Sequence, residues 1–320
     1  MSAPDVSVIV AAWKAESSLK RAVTSALAST GVTVEVIIID DASPDGTFAL
    51  ARQLAVADPR VVAERLPENG GPSVARNRAI ALAKGRYVAI LDADDAMTEE
   101  RLATMLRHAE ASCADIVVDN MIPVDDSGAR IGSANFLISD TFADDCRIDL
   151  PTWIAFNEPM KQGDCIGYLK PLIRRDSLPA NGRAYDPALR NSEDYYLVAD
   201  LLAAGRKMQF VAEPGYLYTR SSGSTSHRLK PEYTAAWLYA EKRFMAAHDA
   251  HLSMRDRKCA KRRERALRNV HQFVTATEAV KARKLGNAFS VIASDLQGAV
   301  YTLGVFARIA LGKVLRRKLV

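Results

Sequence analysis

Four strand-forming residues, Val88-Ala-Ile-Leu91, run directly into Asp92-Ala-Asp-Asp95. Three carboxylates this close repel one another unless a cation offsets them, so the segment belongs at the open end of a buried strand. Val34-Glu-Val-Ile-Ile-Ile39 likewise closes on Asp40 and Asp41, and Val6-Ser-Val-Ile-Val10 is a third apolar run. Between them lie helical patterns: Ser17–Ser29, with Leu19, Val23, Ala26 and Leu27 at helical spacing, then Asp45–Ala57 and Pro72–Lys84. Val61–Leu66 adds a short strand. Alternation of this kind predicts an α/β fold, a mostly parallel central sheet with helices on its faces. Ligands of such sheets bind beyond the carboxyl ends of the strands, so Asp40, Asp41, Asp92, Asp94 and Asp95 are expected along one rim.

Further on, Glu99–Ser112 reads as a helix and Ile116–Asn120 as a strand. Residues 121–165 are rich in Asp, Ser and Gly and read as an irregular insertion, after which Gly167–Arg175 resumes order. Ser192–Ala204 is a helix whose acids suit its first turn, and from Pro231 onward the pattern is helical. The four cysteines show no metal-ligand spacing, which predicts reduced thiols in a cytosolic protein. No basic leader with an apolar stretch precedes Val6, which predicts no export, and no apolar run is long enough to span a bilayer. Charge is unevenly shared. Residues 251–320 carry 16 Lys/Arg against 4 Asp/Glu, a net +12, so the whole-chain +5 leaves −7 for residues 1–250.

Five segments, Val6-Ser-Val-Ile-Val10, Ile39-Asp-Asp-Ala-Ser43, Gly71-Pro-Ser-Val-Ala-Arg-Asn77, Leu91-Asp-Ala-Asp-Asp95 and Ser192-Glu-Asp194, follow one another in the order and spacing of the inverting family 2 glycosyltransferases. The chain resembles that family over roughly residues 5–228, and most closely its bacterial exopolysaccharide (succinoglycan-type) glucosyltransferases. The resemblance implies a GT-A nucleotide-sugar-binding domain over residues 1–230, with a donor half to about residue 120 and an acceptor half from 121. Residues 231–320 then form a helical, basic C-terminal extension.

The resemblance also implies roles. Asp41 accepts the N–H of a uracil, and Ala11, Trp13 and Glu16 line the nucleoside loop, where Ala11-Ala-Trp-Lys14 replaces the commoner Pro-x-Tyr-Asn. Gly71 brings backbone close to the donor, and Arg76 and Asn77 contact diphosphate or ribose. Asp92 contacts the ribose or the metal's hydration shell, while Asp94 and Asp95 hold Mg²⁺ or Mn²⁺, hard ions suited to carboxylates. Asp194 is the general base and Glu193 shapes its surroundings or binds acceptor. Arg220 meets phosphate, and His227 in the Ser-rich segment after it meets metal or phosphate. Lys170 and Arg174, with Arg175, face a lipid-diphosphate-linked oligosaccharide or form a solvated basic edge. Trp153 stacks a sugar or joins the core.

The expected reaction is metal-dependent, inverting transfer of a hexose, glucose from UDP-glucose, to a lipid-linked saccharide in exopolysaccharide biosynthesis. The rival from another class is a non-catalytic nucleotide-sugar-binding scaffold subunit of a polysaccharide assembly complex. A dinucleotide-dependent dehydrogenase is disfavoured, because no Gly-x-Gly-x-x-Gly follows the first strand. The basic C-terminal region suits either the inner face of the cytoplasmic membrane, as a peripheral anchor near other assembly proteins, or packing on the catalytic domain. Nucleic acid is disfavoured, since no recognised binding fold or aromatic platform accompanies the charge.

Overall fold

A computed structural model describes residues 3–180, 182–220 and 229–317, the last nine of these by backbone alone. Two compact units divide the chain: Met1–Asn157 with Gly163–Ser224, and Glu158–Gln162 with Thr225–Val320.

The first unit opens with β1 (Val6–Ala12), α1 (Leu19–Leu27), β2 (Val34–Asp40), α2 (Thr47–Ala57), β3 (Val61–Arg65), α3 (Pro72–Leu82) and β4 (Tyr87–Ile90). The strands β3-β2-β1-β4 lie side by side and all pair parallel. Val6, Val8, Ile9, Val36, Ile37, Ile38, Val88 and Ile90 have no exposed surface, as strands covered on both faces require. Parallel register sets Ala12 beside Asp40 and Ile9 beside Ile90. The acids that follow β2 and β4 therefore emerge at one end of the sheet.

The sheet continues through β5 (Ala96–Met97), β6 (Ile116–Val124), β7 (Cys146–Ile148), β8 (Leu172–Arg174) and β9 (Met208–Thr219), in the order β3-β2-β1-β4-β8-β6-β9-β5 with β7 also on β9. Parallel pairing extends along β6 and β9, but β8 runs antiparallel to both of its neighbours, β4 and β6. The helices α4 (Arg101–Ser112), α5 (Leu150–Phe156) and α6 (Glu193–Ala203) complete this unit. The segment 121–165 is more ordered than its composition predicts. β6 runs on to Val124, and α5 starts on an Asp149 side chain that accepts the Thr152 N–H, with Pro151 in its first turn.

The second unit contains α7 (Pro231–His248), α8 (Met254–Lys281), α9 (Leu285–Ala293) and α10 (Leu296–Arg317). Ser253 and Asp256 form a capping box at the start of α8. Ala260, Arg263, Leu267, Val270 and Val274 make its buried stripe, in which the Arg263 guanidinium pairs with Glu241 of α7 at 3.2 Å. No helix among the described residues is long and apolar enough to cross a membrane.

Candidate active site

The residues after β4 and the first turn of α6 meet through two buried cations. Arg76 on α3 donates from Nη2 to Asp92 Oδ1 at 2.8 Å, and from Nη1 to Glu193 Oε1 at 2.5 Å and Asp194 Oδ1 at 3.3 Å. Lys170 Nζ reaches the remaining oxygens, Asp92 Oδ2 at 2.8 Å and Asp194 Oδ2 at 3.3 Å. Asp92, Arg76, Asp194 and Lys170 thus close a ring of alternating charge, each aspartate giving one oxygen to each cation. Burial opposes the charge on both cations, yet the surrounding carboxylates outweigh it and hold Arg76 and Lys170 protonated. For Asp92, partial burial works against ionisation, but Lys170 and then Arg76 hold its carboxyl well below the usual range. Glu193 is moved the other way: burial raises its carboxyl despite Arg76.

Beside this ring, Asp92, Asp94 and Asp95 bring one carboxylate oxygen each within 4.8 Å of one another. Asp94 is exposed, while Asp95 is buried and tied to β9. The Tyr216 hydroxyl donates to Asp95 Oδ2 at 2.7 Å, and the Thr219 N–H donates to Oδ1 at 2.7 Å. Burial, then the charges of Asp92 and Asp94, push the Asp95 carboxyl up to about 7. An all-oxygen donor set whose buried member resists ionisation in the absence of a cation fits a hard divalent ion such as Mg²⁺ or Mn²⁺. Zinc, with its preference for nitrogen and sulfur, fits it poorly.

The loops after β1 and β2 form the adjoining part of the rim. Asp41 is buried, and its oxygens accept the N–H groups of Gly70 at 2.7 Å and Gly71 at 2.8 Å and the Asn69 amide at 2.9 Å. Only a glycine is at ease at position 71, where φ is +87° and an added Cβ would meet the Arg190 side chain. Lys14, Ala42 and Ser192 also hold left-handed backbone, at φ 54°, 55° and 60°. Such non-glycine residues are uncommon and concentrate at functional turns. Trp13 stands 49 % exposed with the Lys14 ammonium 4.5 Å from its ring centroid. Glu16 accepts the Gly46 N–H at 2.9 Å, and Ala11 lies half-buried beside Ile39.

Several expected contacts are engaged elsewhere. Arg76 is buried among acids rather than presented for phosphate, and Lys170 points into the same ring rather than toward an open surface. The Asn77 amide donates to the Tyr185 carbonyl and accepts the Tyr185 N–H, both at 2.8 Å, so it braces a loop. Arg174 pairs in register with Tyr87 at the start of β4, the end remote from Asp92, and its nearest acid is Asp115 at 3.7 Å. Antiparallel β8 carries it away from the rim that Lys170 reaches. Arg175 donates to the Ala83 carbonyl. Trp153 belongs to the core: it is 1 % exposed, stacked on Tyr195, and donates to the Tyr195 carbonyl. Arg220 is exposed directly after β9, and His227 lies outside the described residues.

Two supporting residues escaped the sequence reading. Tyr185 puts its ring 5.4 Å from the Arg76 guanidinium carbon, and Arg21 donates to the Asp94 carbonyl at 2.6 Å and to the Thr219 hydroxyl at 2.7 Å. Neither sits in a recognisable pattern, and each acts across a long sequence gap.

A profile described as glycosyl transferase family 2 matches residues 7–176. The succinoglycan biosynthesis proteins ExoO and ExoU of Rhizobium meliloti are 36 % and 34 % identical to this chain, over 91 % and 89 % of it and 82 % of each of them. A shorter match, 34 % identical over 33 % of this chain and 41 % of the other, is to an Escherichia coli protein, WfaP. It is described as a UDP-Glc:alpha-D-GlcNAc-diphosphoundecaprenol beta-1,3-glucosyltransferase. Among solved structures, S. aureus TarS 1-349 in complex with UDP-GlcNAc superposes with TM-score 0.61 at 17 % identity, covering 92 % of each chain. The mannosyltransferase PcManGT of Pyrobaculum calidifontis, in complex with GDP-Man and Mn²⁺, gives 0.59 at 18 %, covering 99 % of this chain and 83 % of its own. These two likenesses concern the fold, which is GT-A. With its parallel β3-β2-β1-β4 sheet and an acid-lined rim behind a matching profile, the chain belongs to glycosyl transferase family 2.

Proposed function

We propose that this enzyme transfers a hexose, glucose from UDP-glucose, with inversion to a hydroxyl of a lipid-diphosphate-linked saccharide during exopolysaccharide assembly at the inner face of the cytoplasmic membrane. The names of the relatives support the pathway and the acceptor class. The observation that carries the chemistry is the meeting of the Asp92-Asp94-Asp95 cluster with Asp194 across Arg76 and Lys170. Asp194 takes the proton of the acceptor hydroxyl as that oxygen attacks the anomeric carbon. The sugar–phosphate bond breaks on the opposite side, and UDP departs. Asp94 and Asp95 hold Mg²⁺ or Mn²⁺, which when bound offsets the charge of the departing diphosphate. Trp13 gives the base a stacking surface, the Asp41-held Gly70-Gly71 turn brings backbone close to the donor, and Arg220 meets phosphate.

The test is a panel of UDP-, GDP- and TDP-sugars with Mn²⁺, Mg²⁺ or EDTA, following donor binding and slow hydrolysis, which needs no acceptor. Metal-dependent binding of one UDP-hexose with UDP release is expected. Failure to bind any nucleotide sugar would overturn the proposal.

A further inference from the structure

The last two helices expose a stripe of large apolar side chains. Their fully buried residues are small or polar, Ala288, Gly298 and Thr302, and Phe306 sets its ring 5.5 Å from that of Phe273 on α8. The corner between the two helices is fixed there, because the Gln272 amide on α8 donates to the carbonyls of Val291 at 2.8 Å, Ile292 at 3.1 Å and Asp295 at 3.2 Å. Several of their large apolar side chains point outward, while Val291, Ile292 and Phe306 are half-buried. On α9, Leu285 and Phe289 are exposed at one-turn spacing. On α10, Leu296, Val300 and Leu303 are exposed at positions i, i+4 and i+7, which lie on one face of a helix. Leu296 is 81 % exposed and Phe289 75 %. Scattered apolar residues on a surface need no explanation, but a run of five on two successive helices does.

Charge decides what covers them. Residues 281–320 contain eight Lys/Arg and one acid, Asp295. The cations gather at both ends: Lys281, Arg283 and Lys284 before α9, then Arg308, Lys313, Arg316, Arg317 and Lys318. A typical protein interface offers charges of both signs, whereas an apolar stripe bordered by cations matches a surface that is apolar below and anionic above. We propose that the exposed faces of α9 and α10 dip into an anionic phospholipid bilayer, lying in its surface without crossing it. The surface is assigned from the helical unit alone and needs nothing of the donor site. It joins the proposed lipid-linked acceptor by bringing the enzyme to where that acceptor lies.

The full-length protein is floated with vesicles of pure phosphatidylcholine or of phosphatidylcholine containing phosphatidylglycerol. Binding to the anionic vesicles, weakened by high salt and nearly absent on the neutral ones, is the expected result. Val300→Glu/Leu303→Glu, at two exposed positions, abolishes flotation while leaving the melting temperature and UDP binding unchanged. Arg308→Gln/Arg316→Gln/Arg317→Gln keeps the stripe and lowers vesicle affinity on the order of 100-fold, at about 1 kcal/mol for each cation near the surface. The proposal is overturned if the wild type ignores anionic vesicles or if the stripe variant floats as well as wild type. It is equally overturned if the stripe variant turns a wild-type dimer into a monomer, since a second copy then covers the stripe. Donor binding is read separately, so failure on vesicles and failure of the transferase reading are distinguishable.

Discussion

Replacing Asp95 by asparagine should make the metal-free catalytic unit more stable, although it removes a proposed metal ligand. Burial and the charges of Asp92 and Asp94 move the Asp95 carboxyl from 3.8 to about 7. At 1.36 kcal/mol per pH unit this makes the ionised form in the folded protein costlier by about 4 kcal/mol. Because the folded value is the higher one, the unfolded chain releases this proton first. The contribution of this carboxyl to stability is therefore full below about pH 4 and is lost as pH rises toward about 7. Asparagine carries no such charge. Its carbonyl can still accept the Thr219 N–H, and its amide can donate to Tyr216, so re-forming these contacts costs about 1 kcal/mol. The net gain near pH 8 is about 2–3 kcal/mol, read as a melting temperature roughly 5–10 °C higher, and it vanishes near pH 4. Thermal unfolding at both pH values, with EDTA or Mn²⁺, checks this. Mn²⁺ should raise the melting temperature of the wild type and leave the variant nearly unmoved. A variant less stable than wild type by the same margin at both pH values would refute the electrostatic reasoning, as would equal Mn²⁺ stabilisation of the two proteins.

Asp194→Asn should bind donor as wild type and lose about 10²–10⁴-fold in acceptor-dependent UDP release; full transfer by this variant would remove Asp194 as the base. Lys170→Met leaves Asp92 and Asp194 with Arg76 alone and should cost about 3–5 kcal/mol in urea unfolding. Adding Asp92→Asn should restore part of that loss, whereas strictly additive effects would mean that the charge ring does not act as a unit. Gly71→Ala, at φ +87° and against Arg190, should destabilise by about 1–2 kcal/mol and weaken UDP binding in calorimetry, while Gly163→Ala, in open space, tests backbone strain alone.

The donor-side strands were legible because their signal is local. Val34–Ile39 and Val88–Leu91 are apolar without interruption and end in acids, and the strands formed within a residue or so of those runs. Acids after β2 and β4 had to share a rim once the strands were parallel. The partners of those acids were not legible. Arg76 sits where a phosphate contact was expected, and its carboxylates lie 16, 117 and 118 residues along the chain. Pairings at such distances leave no periodic trace. Strand β8, only three residues long, is too short for a pattern to reveal its antiparallel direction, and that direction separates Arg174 from Lys170. Trp153 shows the converse: its neighbours Leu150, Ile154 and Phe156 are a local core signal inside a segment otherwise rich in Asp, Ser and Gly, and the ring it stacks on, Tyr195, lies 42 residues on.

The place of β8 bears on how such enzymes can be recombined. Its strand lies between β4, which leads into the Asp92 cluster, and β6, so a segment from beyond residue 165 completes the edge of the nucleotide half. A fragment ending near residue 120 would present β4 with unpaired backbone groups along one side, an open template for aggregation. It would also leave Asp92 without the Lys170 ammonium. The two halves are interleaved, and a chimera that exchanges acceptor specificity between relatives must carry Lys170–Arg174 with the nucleotide half or match that strand residue for residue.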